Sequence, residues 1–393
     1  MNSFFASCEQ QLNPALRGQP IAVIPMQAEN TSVLAASYPA KKFGIKTGTL
    51  VKDARTLCPE IKFVVGEHRK YIEYHHQIIA ACDKILPIHS VCSIDEICFE
   101  LTGTQQQPEK AMDLAEKLRQ QIYKDVGEAL TCSIGIAPNI LIAKMAADFI
   151  KPNGLSLVKK SELPGRLENL KLRDIPGVGS KMEARLNAQG INSMKQLLAL
   201  NENQMKGAWK SLIGPRYFYL FRGYSFQIPK SSQKSMSHQH VLPPDARTLP
   251  ASRMIALKLL NKACQRMRDE GLMCRKLGIS IKFYNNLRME TEEKTFETSN
   301  TSQLASLIVE YWKSIPKNQK PMKVSIVLSD FIDEKEHQIS FFENDKKERV
   351  FKTVDEINKK FGKNAVHIGS LKNVLDTAPT RIAFSRIPEL EEF

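Results

Sequence analysis

The sequence predicts a protein of the α+β class that is divided into several domains. Its 393 residues exceed the usual size of a single domain. Apolar residues follow a helical period in some stretches and a strand-like pattern in others, so both kinds of element are mixed along the chain. Residues 227–240 are rich in Ser, Gln and Lys, a composition typical of a flexible linker between two such mixed regions.

The first mixed region predicts short strands that alternate with helices. Its apolar runs and helical spacings predict strands over 21–25, 33–37 and 130–136 and helices over 38–44 and 111–126. The elements over 21–44 form a small αβ lobe, whereas those over 111–136, with the strand before them, suit a mixed sheet covered by helices.

Two adjacent carboxylates, Asp95 and Glu96, lie in an apolar stretch over 88–101 that is typical of a strand. Burying carboxylates costs free energy unless a positive group offsets the cost. Mg²⁺ suits this place, since it takes oxygen ligands and completes its shell with water and substrate phosphates. The alternative is a strand end with a solvated acidic pair. Because neighbouring strand residues point to opposite faces, the two carboxylates converge only where the backbone bends.

A second region begins near Leu170 with a glycine-rich turn. Residues 173–181 read RDIPGVGSK and precede a predicted helix over 182–189, which is a helix-hairpin-helix pattern. We expect Gly177 and Gly179 to adopt torsions that other residues resist, leaving N–H groups beside Lys181 free to bind a DNA phosphate. An ordinary tight turn between helices is the alternative.

Beyond the predicted linker, the pattern indicates another unit of mixed elements. Helices are predicted over 252–267, 304–312 and 354–361, and strands over 277–283 and 324–328. Residues 226–290 hold 12 Lys and Arg against 4 Asp and Glu, a surplus of +8 within the formal net charge of +14 for the whole chain. This distribution favours a polyanionic partner, with a plain solvated surface as the alternative.

Composition excludes several classes of protein. The eight cysteines form no CxxC pair, so they predict reduced thiols in a cytoplasmic protein rather than zinc ligands or a disulfide framework. We find no signal peptide and no apolar run that is long enough to cross a membrane.

Five motifs, in this order along the chain, resemble the Y family of DNA polymerases, the translesion enzymes. They are the opening MNSFFASCEQ with NPALRGQPIAV, then SYPAKKFG from Ser37, SIDE from Ser93, SIGIA from Ser133 and AADFIKPNG from Ala146. The resemblance extends over about residues 1–225 and, less closely, 236–335. It implies a right-hand polymerase with a palm (1–10 and 71–160), small fingers (11–70), a helical thumb with the helix-hairpin-helix (161–225), a linker (226–240), an αβ little finger domain (241–335) and a C-terminal tail (336–393).

The same resemblance implies the residues of a nucleotidyl-transfer site. Two Mg²⁺ ions would be held by Asp95, which bridges them, by Glu96 near the primer terminus and by the carbonyl group of Met1. The family carries an aspartate immediately before the position of Met1, so we expect the natural protein to extend upstream.

The remaining implied residues contact the incoming nucleotide. Phe5 occupies the steric-gate position, where its ring leaves no room for a 2′-hydroxyl, and Phe4 beside it is included in the site although core packing is its favoured role. Tyr38, Lys41 and Lys151 match positions that contact the triphosphate. Lys41 replaces the more common arginine, which keeps the charge but loses bidentate geometry.

The implied partners are primer-template DNA, deoxynucleoside triphosphates and, through a short peptide, a bacterial sliding clamp. In that peptide Gln338, Phe341 and Phe342 match the glutamine and terminal hydrophobic residues that enter the clamp, although a core strand would show the same hydrophobic residues. We expect a monomer. Besides a polymerase, the sequence leaves open a non-catalytic adaptor that binds DNA and clamp in a mutagenesis complex. A helix-hairpin-helix nuclease and a nucleotide cyclase are more distant alternatives.

Overall fold

The computed structural model describes residues 1–226, 233–337, 345–382 and 386–392, without the side chains of 345–348. The chain forms two compact units. The first contains Met1–Ile228 and Arg381–Leu390, and the second contains Pro229–Thr380 and Glu391–Phe393. The predicted clamp-binding residues Gln338, Phe341 and Phe342 lie outside the described residues.

The first unit begins with short elements and ends with a bundle of small helices. Its helices are α1 (Phe4–Leu12), α2 (Tyr38–Lys42), α3 (Val51–Leu57), α4 (His68–Asp83), α5 (Pro108–Asp125), α6 (Ile140–Ala146), α7 (Ser180–Asn187), α8 (Met194–Leu198), α9 (Glu202–Trp209) and α10 (Ile213–Leu220). Its strands are β1 (Ile21–Ile24), β2 (Ala35–Ala36), β3 (Lys62–Val65), β4 (Ile88–Ser93), β5 (Glu96–Phe99), β6 (Ile134–Ile136) and β7 (Leu155–Leu157).

The strands of the first unit pair in three separate places. Strand β1 is central in a sheet of order β2-β1-β3, antiparallel to β2 and parallel to β3. Strands β4 and β5 form an antiparallel hairpin, and β6 pairs with β7 in parallel. The separate small sheet over 21–65 agrees with the predicted αβ lobe. The mixed sheet predicted after it is divided: the β4-β5 and β6-β7 ladders are separate, and the packed helices α4 and α5 lie against them.

The second unit is a four-stranded antiparallel sheet with helices on one face. Its elements are β8 (Ser235–Val241), α11 (Leu249–Asp269), β9 (Leu272–Phe283), β10 (Arg288–Thr298), α12 (Thr301–Lys313), β11 (Pro321–Asp333) and α13 (Asp345–Phe361). The strand order is β10-β9-β11-β8. Alternate residues of β9 and β11, among them Ile281 and Val324, are buried and pack with α11 and α12 in one hydrophobic core. The intervening residues therefore lie on the open face of the sheet.

Two boundaries predicted in this unit are wrong. The linker predicted over 226–240 overlaps strand β8, which pairs with β11 from Ser235 to Val241. Only Met236 of β8 is a buried apolar residue, so the polar composition concealed the strand. The predicted tail is also folded in part, because Leu371 and Val374 are buried in the core of this unit.

Two lysines of α11 hold this part of the C-terminal region. Lys258 is buried and its ammonium donates to the carbonyl of Val374 over 2.8 Å and also to the carbonyls of Leu375 and Thr377. Lys262 donates to the carbonyl of Ala378 over 2.6 Å. These bonds fix the chain up to the point where it returns to the first unit.

Within the described ranges we find no helix with the length and apolar character needed to cross a membrane.

Candidate active site

The acidic pair lies at the tip of the β4-β5 hairpin. Ser93 pairs with Glu96, so Ile94 and Asp95 form the turn between the strands. The prediction of one continuous strand is wrong here, and the turn supplies the bend that the carboxylates require. The side chain of Ile94 is buried, whereas the Asp95 carboxylate accepts a hydrogen bond from the Ser93 hydroxyl over 2.8 Å. The apolar turn residue thus anchors the hairpin while both acidic side chains remain partly exposed.

A buried histidine fixes this turn to helix α4. The Nδ1 atom of His75 lies 2.8 Å from the carbonyl oxygen of Ile94, and because a carbonyl only accepts, Nδ1 carries the proton. Burial lowers the pKa of His75, so the ring is neutral at neutral pH. Sequence reasoning did not find this contact, because His75 lies 19 residues from Ile94 and its position on the apolar face of α4 already explains its burial.

Glu96 forms an ion pair with Lys144 of α6. The ammonium nitrogen lies 2.5 Å from Oε2 of Glu96, and the two side chains are 47% and 43% exposed. Among the described residues no group of three or more His, Cys, Asp or Glu side chains forms a metal site. Two partly exposed carboxylates, Asp95 and Glu96, still fit Mg²⁺, which takes one or two carboxylates when substrate phosphates complete its shell.

The first residue of the chain adjoins the same turn. The amino group of Met1 lies 2.5 Å from the carbonyl oxygen of Asp95. Met1 is therefore next to the turn that carries the acidic pair.

Asn2 holds this segment in place and was not predicted as a site residue. Its buried amide accepts hydrogen bonds from the Thr131 hydroxyl over 3.2 Å and from the Asn153 backbone N–H over 2.9 Å. It also donates to the Ser133 hydroxyl over 3.1 Å. The start of the chain is thus joined to the segment before β6 and to the loop that carries Lys151.

Phe5 belongs to an aromatic cluster, whereas Phe4 is a core residue. The Phe5 ring stacks on Tyr71 with centroids 4.3 Å apart, and the edge of His68 meets it at 85° and 5.9 Å. Tyr71 is buried, and its hydroxyl donates to the buried carboxylate of Glu9 over 2.6 Å. Phe4 is only 3% exposed, so core packing is its place in the fold.

Tyr38, Lys41 and Lys151 come together although Lys151 is distant from the others in sequence. The Lys41 ammonium lies 4.4 Å from the centroid of the Tyr38 ring. Burial, followed by the positive charge of Lys151, lowers the pKa of Lys41. Burial raises the pKa of Tyr38, which the charge of Lys151 opposes. Lys151 also forms an ion pair with Asp148.

The glycine-rich turn precedes α7 as predicted, but its two glycines differ. Gly177 has φ +88°, the left-handed region that favours glycine. Gly179 has φ −91° and ψ −177°, extended torsions that any residue adopts, so the expectation of a special torsion is wrong for it. A Cβ atom added at Gly179 would meet open space, and Lys181 is exposed in the first turn of the helix.

A cavity of about 430 Å³ lies between this turn and Lys144 of helix α6. Its lining includes Lys144 and Asp148 as well as residues 173–179 of the turn. Lys144, whose ammonium group pairs with Glu96, therefore lines the same cavity as the glycine-rich turn.

The family models match most of the two units. The impB/mucB/samB family model matches residues 1–148, and the model of the impB/mucB/samB family C-terminal domain matches residues 233–341. Residues 342–393 lie beyond both matches.

Similar proteins are DNA polymerases. DNA polymerase IV of Moorella thermoacetica is 32% identical over 378 residues, which cover 93% of each chain. DNA polymerase IV of Pelotomaculum thermopropionicum is 30% identical and covers 93% of this chain and 92% of its own. A solved Y-family DNA polymerase chimera of Dbh and Dpo4 matches with a TM-score of 0.69 and 25% identity, over 84% of this chain and 97% of the chimera. The predicted α+β right-hand fold is confirmed.

Proposed function

The chain belongs to the Y family of DNA polymerases, and we propose that it extends a primer on template DNA, including past damaged template bases. The observation that carries this proposal is the convergence of Tyr38, Lys41 and Lys151. Burial and the nearby charge of Lys151 lower the pKa of Lys41, and two ammonium groups this close favour a polyanion between them. A nucleoside triphosphate supplies that charge.

Asp95 and Glu96 would hold two Mg²⁺ ions together with the carbonyl group of Met1. When bound, these ions lower the pKa of the primer 3′-hydroxyl and neutralise charge on the triphosphate. His75 keeps the turn in place for that purpose, and Lys144 supplies a counter-charge to Glu96 until a cation replaces it.

Phe5 would lie against the sugar of the incoming nucleotide and exclude a 2′-hydroxyl. Its support is the stack on Tyr71, whose buried hydroxyl is bonded to Glu9. A ring packed on a fixed partner moves little, and a fixed surface discriminates well between sugars that differ by one oxygen atom.

Two basic features support DNA binding. The open space at Gly179, directly before the N-terminus of α7, suits a phosphate near Lys181. In the sheet of the second unit, Lys282 of β9 lies opposite Arg288 of β10 and opposite Lys323 of β11. The three cations therefore form one row across the open face of the sheet. Such a row suits a DNA backbone.

The finer assignments follow from the family. We propose that residues 1–10 with 71–160 form the palm, that 11–70 form the fingers and 161–225 the thumb, and that the second unit is the little finger domain. We also propose a cytoplasmic monomer whose residues 338–342 bind the sliding clamp.

Primer extension on undamaged and abasic templates tests the proposal. We expect the full chain with Mg²⁺ to add deoxynucleotides on both templates, and the isosteric variant Asp95→Asn to add none while it still binds primer-template DNA. If the unaltered chain binds DNA but extends no primer at any Mg²⁺ concentration, the adaptor function replaces the polymerase.

A further inference from the structure

The C-terminal residues return to the first unit after the chain has completed the second. Lys258 and Lys262 hold the chain up to Ala378 on helix α11, and Arg381–Leu390 then belongs to the compact unit that contains the acidic hairpin. Pro388 is buried there. The segment lies beyond both family-model matches, so neither matched domain accounts for it.

This segment contacts the aromatic cluster at His68. The backbone N–H of Ile382 donates to Nδ1 of His68 over 3.4 Å, across 314 residues of sequence. Because Nδ1 accepts this bond, the ring proton is on Nε2. Burial, followed by the charge of Arg381, lowers the pKa of His68 to about 4, so the ring stays neutral and keeps Nδ1 as an acceptor at neutral pH.

His68 in turn contacts both rings of the predicted sugar site. Its ring meets Phe5 edge-on at 5.9 Å and Tyr71 at 6.1 Å and 76°. Tyr71 supports one side of Phe5 through the stack, and His68 fixes a second side. A rotation of the imidazole would therefore change the space available to the Phe5 ring.

We propose that the chain at Arg381 and Ile382 is a specificity element of the nucleotide site, in which the Ile382 N–H orients His68 and His68 positions the Phe5 ring for sugar discrimination. His68 is a positioning residue, since it acts through Phe5 and not on the substrate. The inference rests on the proposed function of Phe5 as the residue that faces the sugar.

A proline substitution at Ile382 removes the backbone N–H that donates to His68. Ile382→Pro lacks the backbone N–H, whereas the matched control Ile382→Ala shortens the side chain and keeps it. We measure kcat/KM for a deoxynucleotide and for the corresponding ribonucleotide in primer extension by the full chain. One hydrogen bond supports a loss of selectivity of roughly two- to tenfold in Ile382→Pro relative to Ile382→Ala.

A double-mutant cycle tests the route of the effect. His68→Phe keeps an aromatic ring but removes the acceptor, so we expect it to lower selectivity as Ile382→Pro does, and the double variant to lower it no further. This cycle also carries the test if Ile382→Pro alone folds poorly. Deletion of 391–393, which belong to the second unit, leaves selectivity unchanged.

Phe5→Ala distinguishes a failure of the sugar gate at Phe5 from a failure of the proposed effect of Ile382 on that gate. If Phe5→Ala leaves selectivity unchanged, the sugar-gate function of Phe5 is wrong. If Phe5→Ala abolishes selectivity while Ile382→Pro and His68→Phe both match Ile382→Ala, the gate stands and the C-terminal inference is overturned. A decrease in kcat for both sugars at constant selectivity also overturns it, because it reveals support for the fold alone.

Discussion

Removing the ammonium group of Lys144 should make the acidic hairpin bind Mg²⁺ more readily. Lys144 lies 2.5 Å from Oε2 of Glu96, so a cation that takes Glu96 as a ligand must first displace the lysine. The perturbation is Lys144→Met, which keeps much of the side-chain length without the charge. Lys144→Arg, which keeps the charge, is the matched control.

The expected change in Mg²⁺ affinity depends on how exposed the Lys144–Glu96 ion pair is. Both side chains are nearly half exposed, at 47% and 43%, so the pair has the modest strength of a surface ion pair. Such pairs contribute about 0.2–1 kcal/mol, and their loss should lower the Mg²⁺ concentration at half-maximal activity by about 1.4- to 5-fold. The difference between Lys144→Met and the unaltered chain should shrink at high salt, which screens the pair.

Two measurements check this prediction. Primer extension at increasing Mg²⁺ concentration gives the concentration at half-maximal activity. Titration with Mn²⁺, with the free ion measured by its electron paramagnetic resonance signal, gives cation binding without turnover. If Lys144→Met lowers kcat and leaves cation binding unchanged or weaker, the lysine does not compete with the ion. Its role would then lie with the DNA in the cavity that it shares with the glycine-rich turn.

Three further outcomes follow from the geometry. Gly177→Ala should lower the free energy of unfolding by about 1 kcal/mol because of its positive φ, whereas Gly179→Ala should leave thermal unfolding unchanged and weaken DNA binding in a salt titration, unless no phosphate approaches there. Asp355→Ala leaves the buried guanidinium of Arg268 without its carboxylate partner at 2.6 Å and should cost about 3–5 kcal/mol in denaturant unfolding, while Arg268→Met with Asp355→Leu should cost far less; equal losses would contradict the reasoning. Lys41→Arg should lower the KM for deoxynucleotides by offering two donors to the triphosphate, and an unchanged KM would place Lys41 away from it.

The sequence predicted those elements and residues that a local pattern of apolar spacing or a motif specifies. The helical spacing of residues 111–126 predicted most of α5, and the motifs containing Tyr38 and Lys151 predicted two residues that the fold brings close together. Strand β10 was missed because its exposed positions are mainly charged and its sequence lacks a continuous apolar run. Strand β8 was missed for a similar reason, since Met236 alone marks its buried face.

The contacts that complete the site are those that a local pattern does not encode. His75, Lys144 and His68 each contact partners far away in sequence, and each has an ordinary local explanation as a helix residue. His75 and His68 contact a backbone carbonyl and a backbone N–H group, and Lys144 contacts a carboxylate beside the hairpin turn. The positions of these partners are set only when the chain is folded. A substitution at Ile382 therefore tests more than one hydrogen bond. It tests whether Ile382, through His68, sets the position of the Phe5 ring, although the two residues are 377 positions apart in the sequence.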